Sequence, residues 1–161
     1  MPPGQVQIIR LESQEGQYLQ RGQTFHVQVN YDANPRETQL SGIGCQVTLP
    51  AGVTFVNANV QFNQNLFGGV TANGGIVKFQ YADIFNTAWP GVDLPLDLMI
   101  LELVTDENFN GGNIEVGFSS AAAGYEGWSP GLRLHFGTFW FDLIFQILSF
   151  TCILCSDVFM E

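Results

Sequence analysis

Hydrophobic and polar side chains alternate along most of the first 136 residues of the chain. The clearest segment is 24–31, where every second residue is Phe, Val or Tyr and the others are Thr, His, Gln and Asn. The same period of two recurs at 5–10, 43–49, 76–81, 114–118 and 132–136. This period is typical of β-strands that turn one face to a core and the other to solvent.

Segment 94–104 differs from the others because it is apolar at both even and odd positions. A strand of this kind is buried on both faces for part of its length. We therefore expect it to lie in the centre of a sheet.

Turn sequences separate the alternating segments. Gly-containing turns are expected at 50–52, 73–75 and 111–112, the first of them leading into a strand at 53–60. Segment 61–75, which is rich in Asn, Gln and Gly, is predicted to be a connection. About eight or nine short strands joined in this way predict an all-β, two-sheet sandwich.

The composition limits the class of protein and its partners. The chain has 161 residues, including 18 Gly and 14 Phe, and only 12% are charged. This composition favours short strands joined by tight turns over amphipathic helices. The formal net charge of −10 would repel phosphate backbones and anionic lipid, so no nucleic acid partner is expected.

An apolar tail at 137–161 differs in character from the predicted domain at 5–136. Residues 139–155 carry one carboxylate and one amide, at the short limit for crossing about 30 Å of hydrocarbon. Three interpretations carry equal weight: a membrane anchor, a helix packed on the sandwich and a non-native extension. Contact with a membrane is expected only through this tail.

The three cysteines do not form a paired framework. Cys45 lies inside an alternating segment and is predicted to be a small buried thiol. Cys152 and Cys155 have the C-x-x-C spacing, but no second pair completes a zinc site, so the spacing is interpreted as accidental.

No residue pattern predicts catalysis or a cofactor. His26 and His135 lie in alternating segments without a Ser or Cys in a nucleophile context, so a catalytic triad is not expected. The carboxylate pair of a glycosidase could come from Asp83, Asp93 and Asp97. Only the presence of these carboxylates supports that interpretation. Segment 106–108 offers oxygen ligands near a turn without the EF-hand pattern, and a structural calcium ion there is a minor alternative.

Three segments resemble bacterial cohesin domains, the scaffold modules of cellulosomes and of related exported proteins. They are 22–29 (GQTFHVQV), 40–49 (LSGIGCQVTL) and 53–56 (VTFV). In that family a G-D-T-F-x-V-x-V strand precedes an L-x-G-x-x-F-x-L-x-Y-D strand and a short L-x-F-V strand. The loop 88–91 (AWPG) is also similar to a Trp-containing loop of divergent cohesin-like domains. The likeness covers 5–136 and departs at 49–52, where cohesins often have Tyr-Asp.

The resemblance implies a jelly-roll sandwich of about nine strands and a non-catalytic role. It implies a dockerin-like protein partner, which would bind an outer sheet face with the candidate residues Gln46, Thr48, Lys78, Gln80 and Asp83. It also implies an extracellular or cell-surface location within a larger exported protein. Residues 1–5 show no basic segment leading into an apolar run, so no secretory signal is predicted in this chain.

Two other functions stay open. A carbohydrate-binding module would use exposed aromatic rings on which sugars stack, and the candidates are Trp89, Trp128, Tyr81 and Tyr125. A structural spacer domain would need no binding surface. Exposed coplanar rings would favour sugar, whereas a flat polar face around Gln46 and Lys78 would favour a protein partner.

Overall fold

The computed structural model describes residues 6–34, 40, 42–62, 66–85, 94–120 and 132–138. These residues form ten strands: β1 (Val6–Ser13), β2 (Tyr18–Leu19), β3 (Thr24–Asn34), β4 (Gly42–Thr48), β5 (Val53–Val60), β6 (Phe67–Asn73), β7 (Ile76–Ala82), β8 (Leu96–Thr105), β9 (Gly112–Ser120) and β10 (Leu132–Thr138). Across the described ranges there is no helix of the length and apolarity needed to span a membrane. The predictions for the tail from 139 onward, Cys152 and Cys155 included, lie outside the described residues.

The strands form two sheets that pack face to face. The smaller sheet has four strands in the order β1-β3-β8-β5, and the larger has six in the order β2-β10-β9-β4-β7-β6. Neighbouring strands are antiparallel, except that β2 and β10 run parallel. This confirms the predicted all-β sandwich with the jelly-roll architecture.

The strand β6 corrects the prediction that segment 61–75 is only a connection. It pairs with β7 in antiparallel register along its whole length. Its Gly and Asn residues have low strand propensity, so the sequence gives little sign of it. Pairing with β7 makes this segment a strand. The two backbones come so close at Gly68 that a Cβ there would overlap the carbonyl oxygen of Gln80. With β6 and the two-residue β2, the described part of the chain has ten strands where about eight or nine were expected.

The core lies between the two sheets, and aromatic rings join them. Phe25 on β3 packs against Phe136 on β10 with ring centroids 5.2 Å apart. Tyr31 on β3 meets Phe118 on β9 edge-on at 6.5 Å. Such pairs contribute about 0.5 to 1.5 kcal/mol beyond the burial of their area, so they fix how the sheets sit on each other.

Cys45 lies on β4 in the middle of this core and is fully buried. Its thiol is free. Burial raises the pKa of the Cys45 thiol to about 12, because a thiolate would lose its hydration in the apolar interior. The prediction of a small buried thiol is confirmed.

The central position predicted for segment 94–104 is also confirmed. β8 lies between β3 and β5 in the smaller sheet. Its register shifts at Leu98, since Val29 pairs with Met99 and Asn30 pairs with Asp97. This bulge lets two consecutive side chains, those of Leu98 and Met99, both be fully buried.

Candidate functional site

The outer face of the larger sheet carries four of the five side chains predicted for a protein-binding surface. On β4 the alternate residues are buried, so Gln46 and Thr48 point outward. On β7 the same alternation turns Lys78 and Gln80 outward. The two strands are neighbours, and Gln46 lies directly opposite Lys78. The structure thus brings these four residues together, while their role in binding stays a prediction.

Asp83 follows directly after Ala82, the last residue of β7. It is half-buried. It therefore stands at the end of the predicted surface rather than within the sheet face.

Two neighbouring strands widen this surface. Thr71 on β6 lies opposite Lys78, and Gly117 on β9 lies opposite Gln46. Four strands therefore present one continuous row across the sheet, formed by Thr71, Lys78, Gln46 and Gly117. We call the outward residues of β6, β7, β4 and β9 the polar face, which includes Gly69, Thr71, Lys78, Gln80, Gln46, Thr48, Glu115 and Gly117.

Sequence reasoning missed Thr71 and Glu115 as members of the polar face. Glu115 lies opposite Thr48 and between two buried residues of β9. The alternation in segment 114–118 carried the signal that could have placed it. The sequence around Thr71 shows no such alternation, and segment 61–75 was therefore predicted to be a connection.

The polar face contains a shallow cavity of about 260 Å³ between β4 and β9. Gly117 contributes no side chain there, and no heavy atom would lie within 4 Å of a Cβ at this position. The cavity is lined by Gln46, Thr48, Glu115, Val116, Gly117, Phe118 and Ser119. Amide, hydroxyl and carboxylate groups around an open floor can accept and donate hydrogen bonds to a partner's side chain.

One of the four aromatic residues proposed for sugar stacking lies among the described residues. The Tyr81 ring packs edge-on against Phe62 at 5.2 Å and at a tilt against Phe79 at 4.7 Å. Partial burial raises the pKa of its phenol. These contacts hold the ring within an aromatic cluster. Trp89, Trp128 and Tyr125 lie outside the described residues, so the role in stacking stays a prediction for all four.

The two histidines make polar contacts on strand surfaces. His26 Nδ1 lies 2.7 Å from Glu15 Oε1, and the backbone N–H of His26 donates to Glu15 Oε2. His135 Nδ1 lies 2.8 Å from Asn113 Oδ1. Both are at least partly exposed strand residues, as predicted. Neither pair includes a Ser or Cys that the histidine could activate.

The structure does not group the acidic residues considered for catalysis or calcium on one element. Asp83 follows β7 in the larger sheet, whereas Asp97 is on β8 in the smaller sheet, and Asp93 lies outside the described residues. Asp106 Oδ1 accepts a hydrogen bond from the backbone N–H of Asn108 at 2.6 Å, so this carboxylate closes the turn after β8. In the part of the chain that the structure describes, no three His, Cys, Asp or Glu side chains are grouped to hold a metal.

No protein-family model and no curated protein sequence matches the chain. Solved structures match its fold. The cohesin module from the family 33 glycoside hydrolase of Clostridium perfringens is 14% identical, with a TM-score of 0.56, and the match covers 83% of this chain and 98% of that one. The sixth cohesin of Acetivibrio cellulolyticus scaffoldin B, solved in complex with a Cel5 dockerin, is 12% identical, with a TM-score of 0.55 and coverage of 83% and 94%.

The chain has the cohesin fold. This confirms, for the fold, the resemblance found in the sequence. The N-terminal domain of the Streptococcus gordonii adhesin Sgo0707 also matches, with 10% identity, a TM-score of 0.54 and coverage of 84% of this chain and 33% of that one. The same sandwich thus occurs in a domain of an adhesin as well as in cohesin modules, so function has to be argued from the polar face.

Proposed function

We propose that this chain is a non-catalytic module that binds a protein partner of the dockerin kind through the polar face. The observation that carries the proposal is the continuous row of Thr71, Lys78 and Gln46 across three neighbouring strands. A rigid sheet displays these groups without any reaction chemistry. Such a surface suits specific contact with another protein, in which polar groups fix the register of the two partners.

The likeness to cohesin modules supports the class of partner. One matching cohesin was solved in complex with a dockerin, and the fold is shared at a TM-score of 0.55. We further propose that the chain works outside the cell or at its surface, as one module of a larger exported protein. In that setting the module holds a partner in place and leaves chemistry to other domains.

A charge and bulk substitution on the polar face tests the proposal. Thr48→Arg places a long cation on the outward side of β4, whereas Thr24→Arg makes the same change on the exposed side of β3 in the other sheet. Both threonines are exposed strand residues, so the two variants are matched. The immobilised chain is offered a panel of dockerin domains and the secreted proteins of the source organism, and binding of each retained protein is measured by calorimetry.

We expect Thr48→Arg to weaken binding of the retained partner about tenfold or more, since its long side chain fills the cavity that Thr48 lines on the polar face. Thr24→Arg should leave the affinity unchanged. Loss of binding in both variants, or in neither, would contradict the proposed face. The same variants in polysaccharide affinity gels test the carbohydrate alternative. Retardation by a glycan, with no protein partner found, would favour a carbohydrate-binding module instead of the proposed function. If the chain binds no protein and no glycan, the structural spacer is the interpretation that is left.

A further inference from the structure

Three large apolar side chains are exposed at one end of the larger sheet. Phe67, the first residue of β6, is 70% exposed. Ile84 and Phe85, just beyond the end of β7, are 61% and 69% exposed. Phe67 lies opposite Ala82, two residues before Ile84. Side chains of this kind are usually buried, and an exposed group beside polar residues marks a surface that contacts a partner.

Phe67 points to the same side of the sheet as the polar face. Val70 packs against the core, and side chains alternate along a strand, so Phe67, Gly69 and Thr71 point outward. Thr71 lies opposite Lys78. Four residues along the strand and one strand across separate Phe67 from Lys78, which corresponds to about 14 Å between their backbones.

The surface between these two side chains is low. Gly69 on β6 lies between Phe67 and Thr71 and opposite Gln80. No heavy atom would lie within 4 Å of a Cβ at Gly69. A partner segment can therefore lie flat across the sheet from Phe67 toward Lys78.

Lys78 carries a charge that no described neighbour on the sheet compensates. It is exposed, and the residues opposite it, Gln46 and Thr71, are neutral. Its outward neighbours on the same strand, Ile76 and Gln80, are neutral as well. Among the described residues, Lys78 takes part in no ion pair. Because salt screens charges beyond about 8 Å, this ammonium attracts a carboxylate locally even in a chain of net charge −10.

We propose that Phe67 and Lys78 select a partner segment that carries an apolar side chain and a carboxylate about 14 Å apart. The inference rests on the proposed function, because it names the chemistry of the partner that the polar face takes. The apolar side chain packs on Phe67. The carboxylate accepts hydrogen bonds from the Lys78 ammonium and from the Gln46 side-chain amide.

Random twelve-residue peptides displayed on phage give a defined probe, because this length spans about 14 Å as a helix or as a strand. Selection on the full-length chain should enrich Asp or Glu together with an aromatic or aliphatic residue. The same selection on Lys78→Glu should enrich Lys or Arg in place of the acidic residue. Peptides selected on the wild type should bind Lys78→Glu and Phe67→Ser about tenfold more weakly, as expected for the loss of an interface anchor.

Two variants on the other sheet serve as matched controls. Arg10→Glu reverses an exposed cation on β1, and Val56→Ser removes an apolar side chain on β5 that is 50% exposed. Both should bind the selected peptides like the wild type. Circular dichroism and melting temperatures establish that all four variants are folded.

Peptides without carboxylate enrichment, or the same sequences selected on the wild type and on Lys78→Glu, would overturn the inference. Failure of this inference and failure of the proposed function give different results. A secreted partner that is lost with Thr48→Arg but retained by Phe67→Ser and Lys78→Glu would leave the binding face in place and refute this selection. Peptides that follow the expected pattern when no dockerin-like partner exists would refute the proposed partner class and support the inference.

Discussion

Thr105, the last residue of β8, is 2% exposed and shows how one buried hydroxyl can fix a loop. Its Oγ1 accepts a hydrogen bond from the backbone N–H of Gln23 at 2.9 Å and donates to the carbonyl oxygen of Gln20 at 2.6 Å. The backbone N–H of Gly22 donates to the Thr105 carbonyl. The loop before β3 is thus held to the end of β8 by these three hydrogen bonds.

Thr105→Val should destabilise the protein, because it removes the hydroxyl while keeping the shape of the side chain. The partly buried N–H of Gln23 and the carbonyl of Gln20 then lose their partner, at a cost of about 1 to 3 kcal/mol in total. Thr105→Ser, which keeps the hydroxyl, should lose much less. Urea unfolding followed by fluorescence measures both, and an equal loss in the two variants would show that the methyl group matters instead.

Cys45 gives a prediction about pH. Its pKa is raised from 9.0 to about 12, so the folded protein holds the thiol proton where the unfolded chain releases it. The contribution to stability is therefore complete below about pH 9 and is lost as the pH rises from about 9 toward 12. We expect the free energy of unfolding to decline across this range, and to decline less in Cys45→Ala.

Thiol labelling checks the same group independently. In a Cys152→Ser, Cys155→Ser variant, Ellman's reagent should label the folded chain slowly at about pH 8, because the reactive thiolate is suppressed and the sulfur is covered. The unfolded chain in guanidinium should label at once. Rapid labelling of the folded variant would mean that Cys45 is accessible.

At the scale of elements, the turn between β4 and β5 depends on close packing against the turn that follows β8. Gly52 has a φ of +81°, and a Cβ there would lie 2.6 Å from the backbone of Phe109. The carbonyl of Gly52 also accepts a hydrogen bond from the backbone N–H of Asp106 at 2.8 Å. The two turns can approach only where this position has no side chain.

Gly52→Ala should therefore destabilise the protein by about 2 to 4 kcal/mol, through steric overlap added to a left-handed backbone conformation. Gly74→Ala is the control, because Gly74 has a φ of +58° and nothing within 4 Å of a Cβ. It should cost about 1 kcal/mol, the conformational term alone. Chemical unfolding of both variants gives the difference, and similar losses would mean that the backbone at 52 can move aside.

Elements were predictable from the sequence to the extent that their pattern was local. β3 alternates without interruption, so both its position and its buried face follow from residues 24–31. In β1 apolar residues stand at even and odd positions, and the structure buries Gln7 and Ile9 while Ile8 is half-buried. Packing of β1 against β9 and β10 determines which of these side chains are buried. β6 was missed because only its pairing with β7 makes it a strand.

The charge of the whole molecule favours no particular fold but opposes compaction. A net charge of −10 on 161 residues brings carboxylates closer together in the folded than in the unfolded state. Raising NaCl from about 0.01 to about 1 M shortens the screening length from about 30 to about 3 Å. We expect the melting temperature to rise by a few degrees, equally in NaCl and KCl. A fall in both salts would show that attractive pairs outweigh the repulsion.

The sequence by itself determined the strands with clear alternation, the burial of Cys45 and the central position of β8, whereas the predicted burial of both faces of β8 holds only at the bulge, since Ile100, Glu102 and Val104 are half-buried. These properties depend on neighbours along the chain, because side chains alternate with a period of two wherever a strand forms. The tertiary structure alone decided which strands pair and in what register. It thereby placed Gln46 opposite Lys78, added Thr71 and Phe67 to the same face and assembled the candidate site. Pairing joins segments distant in sequence, and its free energy comes from the whole core, so no local pattern encodes it.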